Sequence, residues 1–205
     1  MANQLQRPEP PAIPQAVNEY RRPYEDQRNN VFRLFFNRLV GTLNALLSVD
    51  DGGKYLYMPR GVFYSTTDQA AVATNTGYPV EFEITYLGNG VSIVDDTRIT
   101  VTAGGVYNFQ VTLNTEHTNA STATVWTWIN KNGTDVPYGG QVTSVKGAGA
   151  HAAYWNFSID LTAGQYIEMY WATDDTALSL QSTAPTSPHP GIPSAIVAVS
   201  FVSNL

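Results

Sequence analysis

The side chains that could perform catalysis are few and lie far apart in the sequence. The histidines His117, His151 and His189 form no His-x-x-x-His pair, and no glutamate stands three or four residues from one of them, so the spacing of a zinc protease is absent. The chain has no cysteine, which excludes disulfides, thiolate zinc sites and thiol nucleophiles. No serine lies in a Gly-x-Ser-x-Gly sequence, the signature of many hydrolases. The sequence therefore predicts no catalytic residue, no cofactor and a protein that is not an enzyme.

Two pairs of neighbouring acids are the candidates for metal chemistry. Asp95-Asp96 and Asp174-Asp175 stand beside threonines, and carboxylate and hydroxyl oxygens are ligands that calcium prefers. Calcium takes about six to eight oxygen ligands, however, and an acid pair in a turn is ordinarily hydrated. We therefore predict no metal site, with calcium at these turns as the alternative.

Aromatic side chains could bind sugars or a second subunit. Trp126 and Trp128 stand two residues apart and share one face of a strand, while Val125 and Ile129 share the other. Both faces are apolar, so either one face is an interface or both are buried. We predict that Trp126 and Trp128 lie in a subunit interface. A platform for stacking sugar rings and an ordinary core position are the alternatives.

Composition indicates the elements that must position these side chains. Of the 205 residues, 43% are hydrophobic and only 14% charged, enough apolar material for one domain with a real core plus an appendage. Residues 1–60 carry eight basic and six acidic residues, whereas the rest of the chain carries three and eleven. The net charge of −6 argues against general nucleic-acid binding. No stretch has the pattern of a signal peptide or a membrane span, so we expect no membrane insertion.

Residues 1–23 are predicted to be an extended arm. They contain five prolines, which disfavour a helix and favour a polyproline-like backbone in water. A simple linker would not need apolar anchors, so we predict that the arm docks on a partner; a disordered tail is the alternative. The predicted docking residues are apolar anchors and two arginines that can pair with acids of the partner: Ile13, Val17, Tyr20, Arg21, Arg22 and Tyr24.

Residues 24–48 have the pattern of an amphipathic helix. Glu25 and Asp26 favour the start of a helix, and the Asp-Asp-Gly-Gly sequence at residues 50–53 favours its end. Either the apolar face packs on the domain of its own chain, or three copies associate through it, and two heptads are too few to decide. The apolar seam has spacings of 4, 3, 4 and 3 and consists of Phe32, Phe36, Leu39, Leu43 and Leu46.

After a linker at residues 49–60, residues 61–205 are predicted to form a β head. Apolar residues alternate with polar ones, and closely spaced turn signals separate the runs, which indicates about ten short antiparallel strands in a sandwich or barrel. Asn132-Gly133 is the best hairpin signal because a primed turn needs positive φ at both positions. The alternating runs occupy residues 80–86, 107–113, 155–161 and 167–171.

Three stretches of the head carry a family resemblance: residues 99–109, with glycine followed by alternating aromatics, residues 128–133, which end in Lys-Asn-Gly, and residues 161–167. In these stretches the chain resembles the ten-stranded jelly roll of tumour necrosis factor and of complement and collagen-like globular heads. The likeness covers about residues 61–203. It departs from the family where Gln165 replaces an acid and at residues 195–202, where the family's Phe-Ser-Gly-Phe-Leu pattern is absent. The resemblance implies threefold association, which favours a trimer for the helical seam.

The sequence around residues 18–28, followed by a short helix and one Thr/Asn/Ala-rich β domain, resembles small virion proteins of tailed bacteriophages, particularly marine and cyanobacterial short-tailed phages. This resemblance implies a homotrimeric fibre or knob of the virion, assembled in the host cytoplasm and anchored by its arm to other head or tail proteins. One alternative is a host-attachment adhesin that binds a surface glycan through loops at residues 147–151 and 185–193. The other is a capsid decoration protein.

Overall fold

The computed structural model describes residues 12, 19, 21–48 and 57–204. The chain divides into two compact units, Met1–Tyr57 and Met58–Leu205. Most of the predicted arm, and most of the predicted linker at residues 49–60, lies outside the described residues.

The described part of the first unit is dominated by one helix, α1 (Arg22–Leu47). Arg21 precedes it in an extended conformation, and Ser48, again extended, follows it. The helix begins two residues before the predicted start because Pro23 lies in its first turn, where proline loses only an N–H that has no partner within the helix. Glu25 lies in the same turn and pairs with an arginine one turn later, where a carboxylate also favours the helix dipole.

The second unit consists of two antiparallel β-sheets. The first sheet has the order β4-β1-β13-β7-β10, with β12 beside the end of β7 and β2 beside β12. The second sheet has the order β5-β6-β11-β8-β9, with β3 beside β11. The strands are β1 (Arg60–Ser65), β2 (Gln69–Ala70), β3 (Tyr78–Pro79), β4 (Ile84–Asn89), β5 (Val91–Val94), β6 (Arg98–Val101), β7 (Gly105–His117), β8 (Thr122–Lys131), β9 (Thr134–Lys146), β10 (Gly149–Leu161), β11 (Tyr166–Thr173), β12 (Leu178–Leu180) and β13 (Ala195–Ser203).

This arrangement confirms the predicted fold class. Ten of the thirteen described strands have four residues or more, five in each sheet, and the other three are pairings of two or three residues. Among the described strands, only β5–β6 and β8–β9 form hairpins, and both hairpins lie in the second sheet. Elsewhere the chain crosses repeatedly from one sheet to the other. The head is therefore a ten-stranded antiparallel jelly-roll sandwich.

The core lies between the two sheets. Inward side chains of β7, from Tyr107 to Leu113, are at most 4% exposed, as the alternation predicts, and Trp171 of β11 is 1% exposed. The Tyr107 hydroxyl donates a hydrogen bond of 2.6 Å to the Ala103 carbonyl, and burial raises the pKa of Tyr107 to about 12. Trp155 lies opposite Val111 on the inward face but is only half-buried, because β10 pairs with β7 alone and leaves one edge of the sandwich open.

The predicted strand at residues 80–86 is wrong in its first half. Val80 and Phe82 are buried as expected, but they lie in an extended crossing between the sheets, and their N–H groups donate to the Met169 and Asp96 carbonyls. The strand β4 begins at residue 84 in the first sheet. Tyr86 is consequently 77% exposed, although the alternation places it with the buried side chains.

Two turns show how the sequence sets the strand connections. Asn132 and Gly133 both have positive φ, 50° and 82°, and join β8 to β9 as predicted. The turn before β11 contains Gln165. Its side-chain oxygen accepts a hydrogen bond of 2.9 Å from the Thr162 N–H. The amide thus supplies the acceptor that a carboxylate would supply.

Candidate functional site

The predicted docking residues are only partly described. Ile13, Val17 and Tyr20 lie outside the described residues. Arg21 and Arg22 are exposed at the start of α1. Arg22 lies 3.9 Å from the Asp26 carboxylate, and both side chains are largely in solvent, so this ion pair is weak. Tyr24 is half-buried. Both arginine side chains are therefore accessible to solvent.

The apolar seam of α1 is incompletely covered. No residue of the helix is buried. Phe36 is 55% exposed and Leu43 44%, whereas Phe32, Leu39 and Leu46 are half-buried. Hydrophobic side chains beside the seam, among them Val40 and Leu47, are also more than half exposed. The helix therefore leaves much of the apolar surface of its seam exposed.

The two tryptophans of β8 differ in what they offer. Trp128 stacks on Tyr170 of β11 at 5.7 Å, and its indole N–H donates a hydrogen bond of 3.0 Å to the Asp135 carboxylate. Burial and the negative charge of neighbouring acids raise the pKa of Tyr170. Trp128 is therefore committed to contacts within its own chain. Trp126 is 37% exposed and presents the larger free surface of the pair.

The outer face of the second sheet also carries an ionic network. Glu168 of β11 is only 8% exposed, accepts a hydrogen bond of 2.8 Å from the Thr97 hydroxyl, and lies 3.5 Å from the Arg98 guanidinium. Arg98 also pairs with Asp95 at 3.0 Å and lies over the Tyr166 ring. Glu168 lies on the outward, polar face of its alternating strand, yet it is buried. The contacts with Thr97 and Arg98 accompany its burial.

The outer face of the first sheet, by contrast, carries no charged side chain between the ends of its described strands. Tyr154 of β10 is 71% exposed and stands next to a concavity of about 460 Å³. Charged residues occur at the ends of the strands, as at Arg60, Glu116 and Asp160. The described outward side chains between them include Val62, Tyr64, Ile84, Leu87, Asn108, Gln110, Thr112, Asn114, Ala152, Tyr154, Asn156, Ser158, Ile196, Ala198 and Ser200.

A cavity of about 720 Å³ lies on this face under the loop between β12 and β13. Residues 182–193 form a small hairpin whose Thr183 and Ile192 exchange two backbone hydrogen bonds of 2.8 Å. Asp68 accepts from Ser182 at one end of the hairpin, and the Pro193 carbonyl accepts from Asn114 at the other. The cavity is lined mainly by apolar and aromatic side chains, among them Val62, Tyr64, Tyr86, Pro185, Ile192 and Ile196.

The histidines occupy three different environments. His189 is exposed in the hairpin and His151 is half-buried in β10. His117, the last residue of β7, is fully buried: one ring nitrogen lies 3.0 Å from the Asp175 carboxylate and the other 3.1 Å from the Gly147 carbonyl. The inward alternation of β7 extends to residue 117 and could have predicted this burial. Its partner, 58 residues away, could not be predicted from local pattern.

The acid pairs weighed as calcium ligands make contacts within the protein. Asp95 pairs with Arg98, and Asp174 accepts the Thr124 N–H at 2.6 Å. Asp175 is bound by His117 and other donors. In the described portion of the chain, no three His, Cys, Asp or Glu side chains are grouped so that they could hold a metal ion.

Fold and surfaces together define a two-sheet β head and a helix with an exposed apolar seam. A scan against protein-family models gives no match to this chain, and a search of curated proteins finds no relative. Among the described residues, no helix is long and apolar enough to cross a membrane.

Proposed function

We propose that this protein is a non-enzymatic structural component of a tailed-phage virion, a homotrimeric fibre or knob anchored by its N-terminal arm. Two sheets of five strands with repeated crossings are what the resemblance to the tumour necrosis factor jelly roll implies, and they support this proposal. The resemblance to phage virion proteins rests on the sequence. The proposed location is the virion, with assembly in the host cytoplasm.

The observation that carries the trimer is the seam of α1. Its members recur with a heptad-like spacing, none is buried, and Phe36 and Leu43 retain about half their exposure. Exposed phenylalanine and leucine at these positions are stabilised when sister helices cover them. Sedimentation of the native protein as a monomer at every concentration would refute the trimer.

The uncharged outer face of the first sheet is a second candidate contact between copies. Interface cores are depleted of charge relative to the rest of a protein surface, and this face combines that property with an exposed Tyr154. The predicted interface at Trp126 and Trp128 stays a prediction. Because Trp128 is already stacked and hydrogen-bonded within its own chain, Trp126 would supply most of any contact there.

The arm is proposed to bind other virion proteins of the head or tail. Arg21 and Arg22 are exposed and can form charge-assisted hydrogen bonds with acids of the docking site. Deletion of residues 1–23 should leave a folded trimer that is absent from purified particles. The double variant Arg21→Ala/Arg22→Ala should reduce incorporation less severely. Truncated protein found on virions at the normal copy number would contradict anchoring by the arm.

A second candidate function, glycan binding during host attachment, is favoured by the cavity under residues 182–193. Its size is within the range of ligand sites, roughly 300–1,000 Å³, and Tyr64 and Tyr86 offer rings on which a sugar can stack. Glycan-array binding that Tyr86→Ala abolishes would support it. Tyr138→Ala is the matched control, because Tyr138 is fully exposed on β9 and does not line the cavity. Loss of binding in both variants would argue against this site.

Copy number separates a fibre from a capsid decoration protein. A fibre anchored at a vertex or tail is present in few copies, whereas a decoration protein that clamps capsomers covers the shell. Quantitative protein analysis of purified particles therefore distinguishes these two arrangements.

A further inference from the structure

Three connections of the head converge on the buried imidazole of His117. The residue ends β7 and begins the connection to β8, in which the side chains of Asn119 and Ser121 lie. Gly147 is in the β9–β10 turn, and Asp175 is in the turn between β11 and β12. The ring is fully buried and contacts polar atoms of both turns. The turns are thus joined through one side chain.

The two acceptors beside the His117 ring imply that both ring nitrogens carry a proton. Nδ1 lies 3.1 Å from the Gly147 carbonyl oxygen, and Nε2 lies 3.0 Å from Oδ2 of Asp175. A carbonyl has no hydrogen to donate, and an ionised carboxylate has none either. Both nitrogens must therefore carry N–H if both contacts are hydrogen bonds. A neutral ring has only one N–H and would turn a lone pair towards one of the two acceptors.

Asp175 is held in its ionised form. Its carboxylate accepts hydrogen bonds from the Ala177 N–H at 2.9 Å and from the Asn119 amide and Ser121 hydroxyl at 3.2 Å, besides the ring of His117. These donors lower the pKa of Asp175 to about 2, with the Ala177 backbone N–H as the largest cause. Near neutral pH it can therefore serve only as an acceptor.

The other charged residues on these elements do not change the conclusion that both ring nitrogens of His117 are protonated. Glu116 precedes the histidine on β7 and, by strand alternation, points to the opposite face. Lys146 ends β9, His151 follows the turn on β10, and Asp174 accepts the Thr124 N–H. In the described structure, only the Asp175 carboxylate among these charged groups bonds to the ring.

We propose that His117 is a proton-operated latch that fastens the β7–β8, β9–β10 and β11–β12 connections to one another. With both nitrogens protonated, it donates to Gly147 and Asp175 together. When one proton leaves, one of these hydrogen bonds is lost inside the protein and the turn that made it loosens. The latch requires a doubly protonated ring and an ionised Asp175, and loss of a ring proton opens it. This inference is independent of the proposed phage function.

Nuclear magnetic resonance of the full chain tests the protonation directly. Long-range proton–nitrogen spectra recorded between about pH 5 and pH 8, the range in which histidine titrates, distinguish a ring with two N–H groups from either neutral tautomer. We expect the doubly protonated pattern for His117 in the folded protein, with N–H signals from both Nδ1 and Nε2. A neutral single-tautomer pattern for His117 throughout the range would overturn the proposal.

Hydrogen exchange tests the mechanical consequence in the same samples. The Gly147 N–H donates to the Ser121 carbonyl at 2.9 Å and reports on two of the joined connections. We expect its exchange, corrected for the intrinsic pH dependence, to rise roughly tenfold to a hundredfold as His117 loses a proton, since a hydrogen bond to a charged group is lost. Unchanged exchange across that transition would overturn the latch.

Two variants separate the latch from general histidine titration. His117→Gln cannot offer donors at both ring positions, so its Gly147 exchange should be fast and independent of pH. His189→Gln removes an exposed histidine and should retain the wild-type profile. If His117→Gln does not fold, Asp175→Asn serves instead, because the neutral amide no longer stabilises the imidazolium and should move its titration to lower pH. A titration that does not move would overturn the pairing.

Discussion

Replacement of Phe36 by aspartate is the most direct test of the proposed helical interface. Phe36 is 55% exposed. Applied to roughly 200 Å² for a phenylalanine side chain, this fraction leaves about 110 Å² that sister helices could cover. At about 25 cal/mol per Å², covering all of it stabilises each subunit by about 2.7 kcal/mol. The variant also brings three carboxylates close together in the trimer, and their mutual repulsion adds to the cost. For a fully covered ring, about 2.7 kcal/mol per subunit is therefore a lower limit.

The expected shift in assembly follows from the trimer equilibrium. Three copies lose about 8 kcal/mol together, which is nearly six powers of ten in the association constant at about 1.4 kcal/mol per tenfold. The concentration of half-assembly varies with the square root of this constant. It should therefore rise roughly a thousandfold for full coverage of the ring, and about thirtyfold if only half of that surface is covered.

Sedimentation velocity over a wide concentration series measures this shift. Asn37→Asp is the matched control, because it adds the same carboxylate to the same helix at an exposed position outside the seam. Leu39→Asp should resemble Phe36→Asp, and circular dichroism checks that each helix persists. Equal weakening by Phe36→Asp and Asn37→Asp would show that charge or helix propensity, and not burial of the seam, controls assembly.

Three further predictions concern stability. Gly105→Ala should destabilise the head by roughly 1–3 kcal/mol, because an added Cβ would overlap the Phe201 ring and lie 2.6 Å from a carbonyl oxygen. In Gly104→Ala the nearest atoms are at 3.7 Å, so thermal melts should separate the two variants, and equal melts would contradict the packing. Gly41→Ala should stabilise α1 by about 1 kcal/mol, seen as a higher helical melting temperature, since the added methyl meets no atom within 4 Å. The pKa of Asp175 is lowered to about 2, so its contribution is present at neutral pH and lost as the pH falls from about 4 towards 2. Asp175→Asn should flatten that acid limb of the melting curve, and an unchanged limb would contradict the assignment.

The fold was predictable because strand alternation and turn chemistry are local signals. Residues 107–113 alternate with inward apolar side chains, and Asn132-Gly133 adopts the two positive φ values that its hairpin requires. The same rule fails at residues 80–86, since alternation records which face is buried but not a change of sheet. The chain leaves the second sheet at Pro79 and joins the first at Ile84, so Tyr86 faces solvent.

The polar clusters of the head could not be predicted from the sequence, for a different physical reason. Glu168 and Asp175 are ordinary acids in the sequence, and their roles depend on donors distant along the chain. Glu168 receives a hydrogen bond from Thr97, 71 residues earlier, and Asp175 from His117, 58 residues earlier. Strand register in a jelly roll brings such groups together only after the sheets have formed. Local pattern could predict the burial of His117 but not its partner.

The placement of charge connects the acidic composition of the head to its proposed assembly. Residues 61–205 carry three basic and eleven acidic residues, and two of the three bases, Arg98 and Lys131, already pair with acids of their own chain. A second copy that approached through acid-bearing surfaces would therefore be repelled, because few cations are available to neutralise them. The outer face of the first sheet lacks charge between its strand ends and avoids this repulsion. In the proposed trimer, charge would thus disfavour contacts elsewhere and favour this face for contacts between heads, while the apolar seam of α1 would supply the attraction.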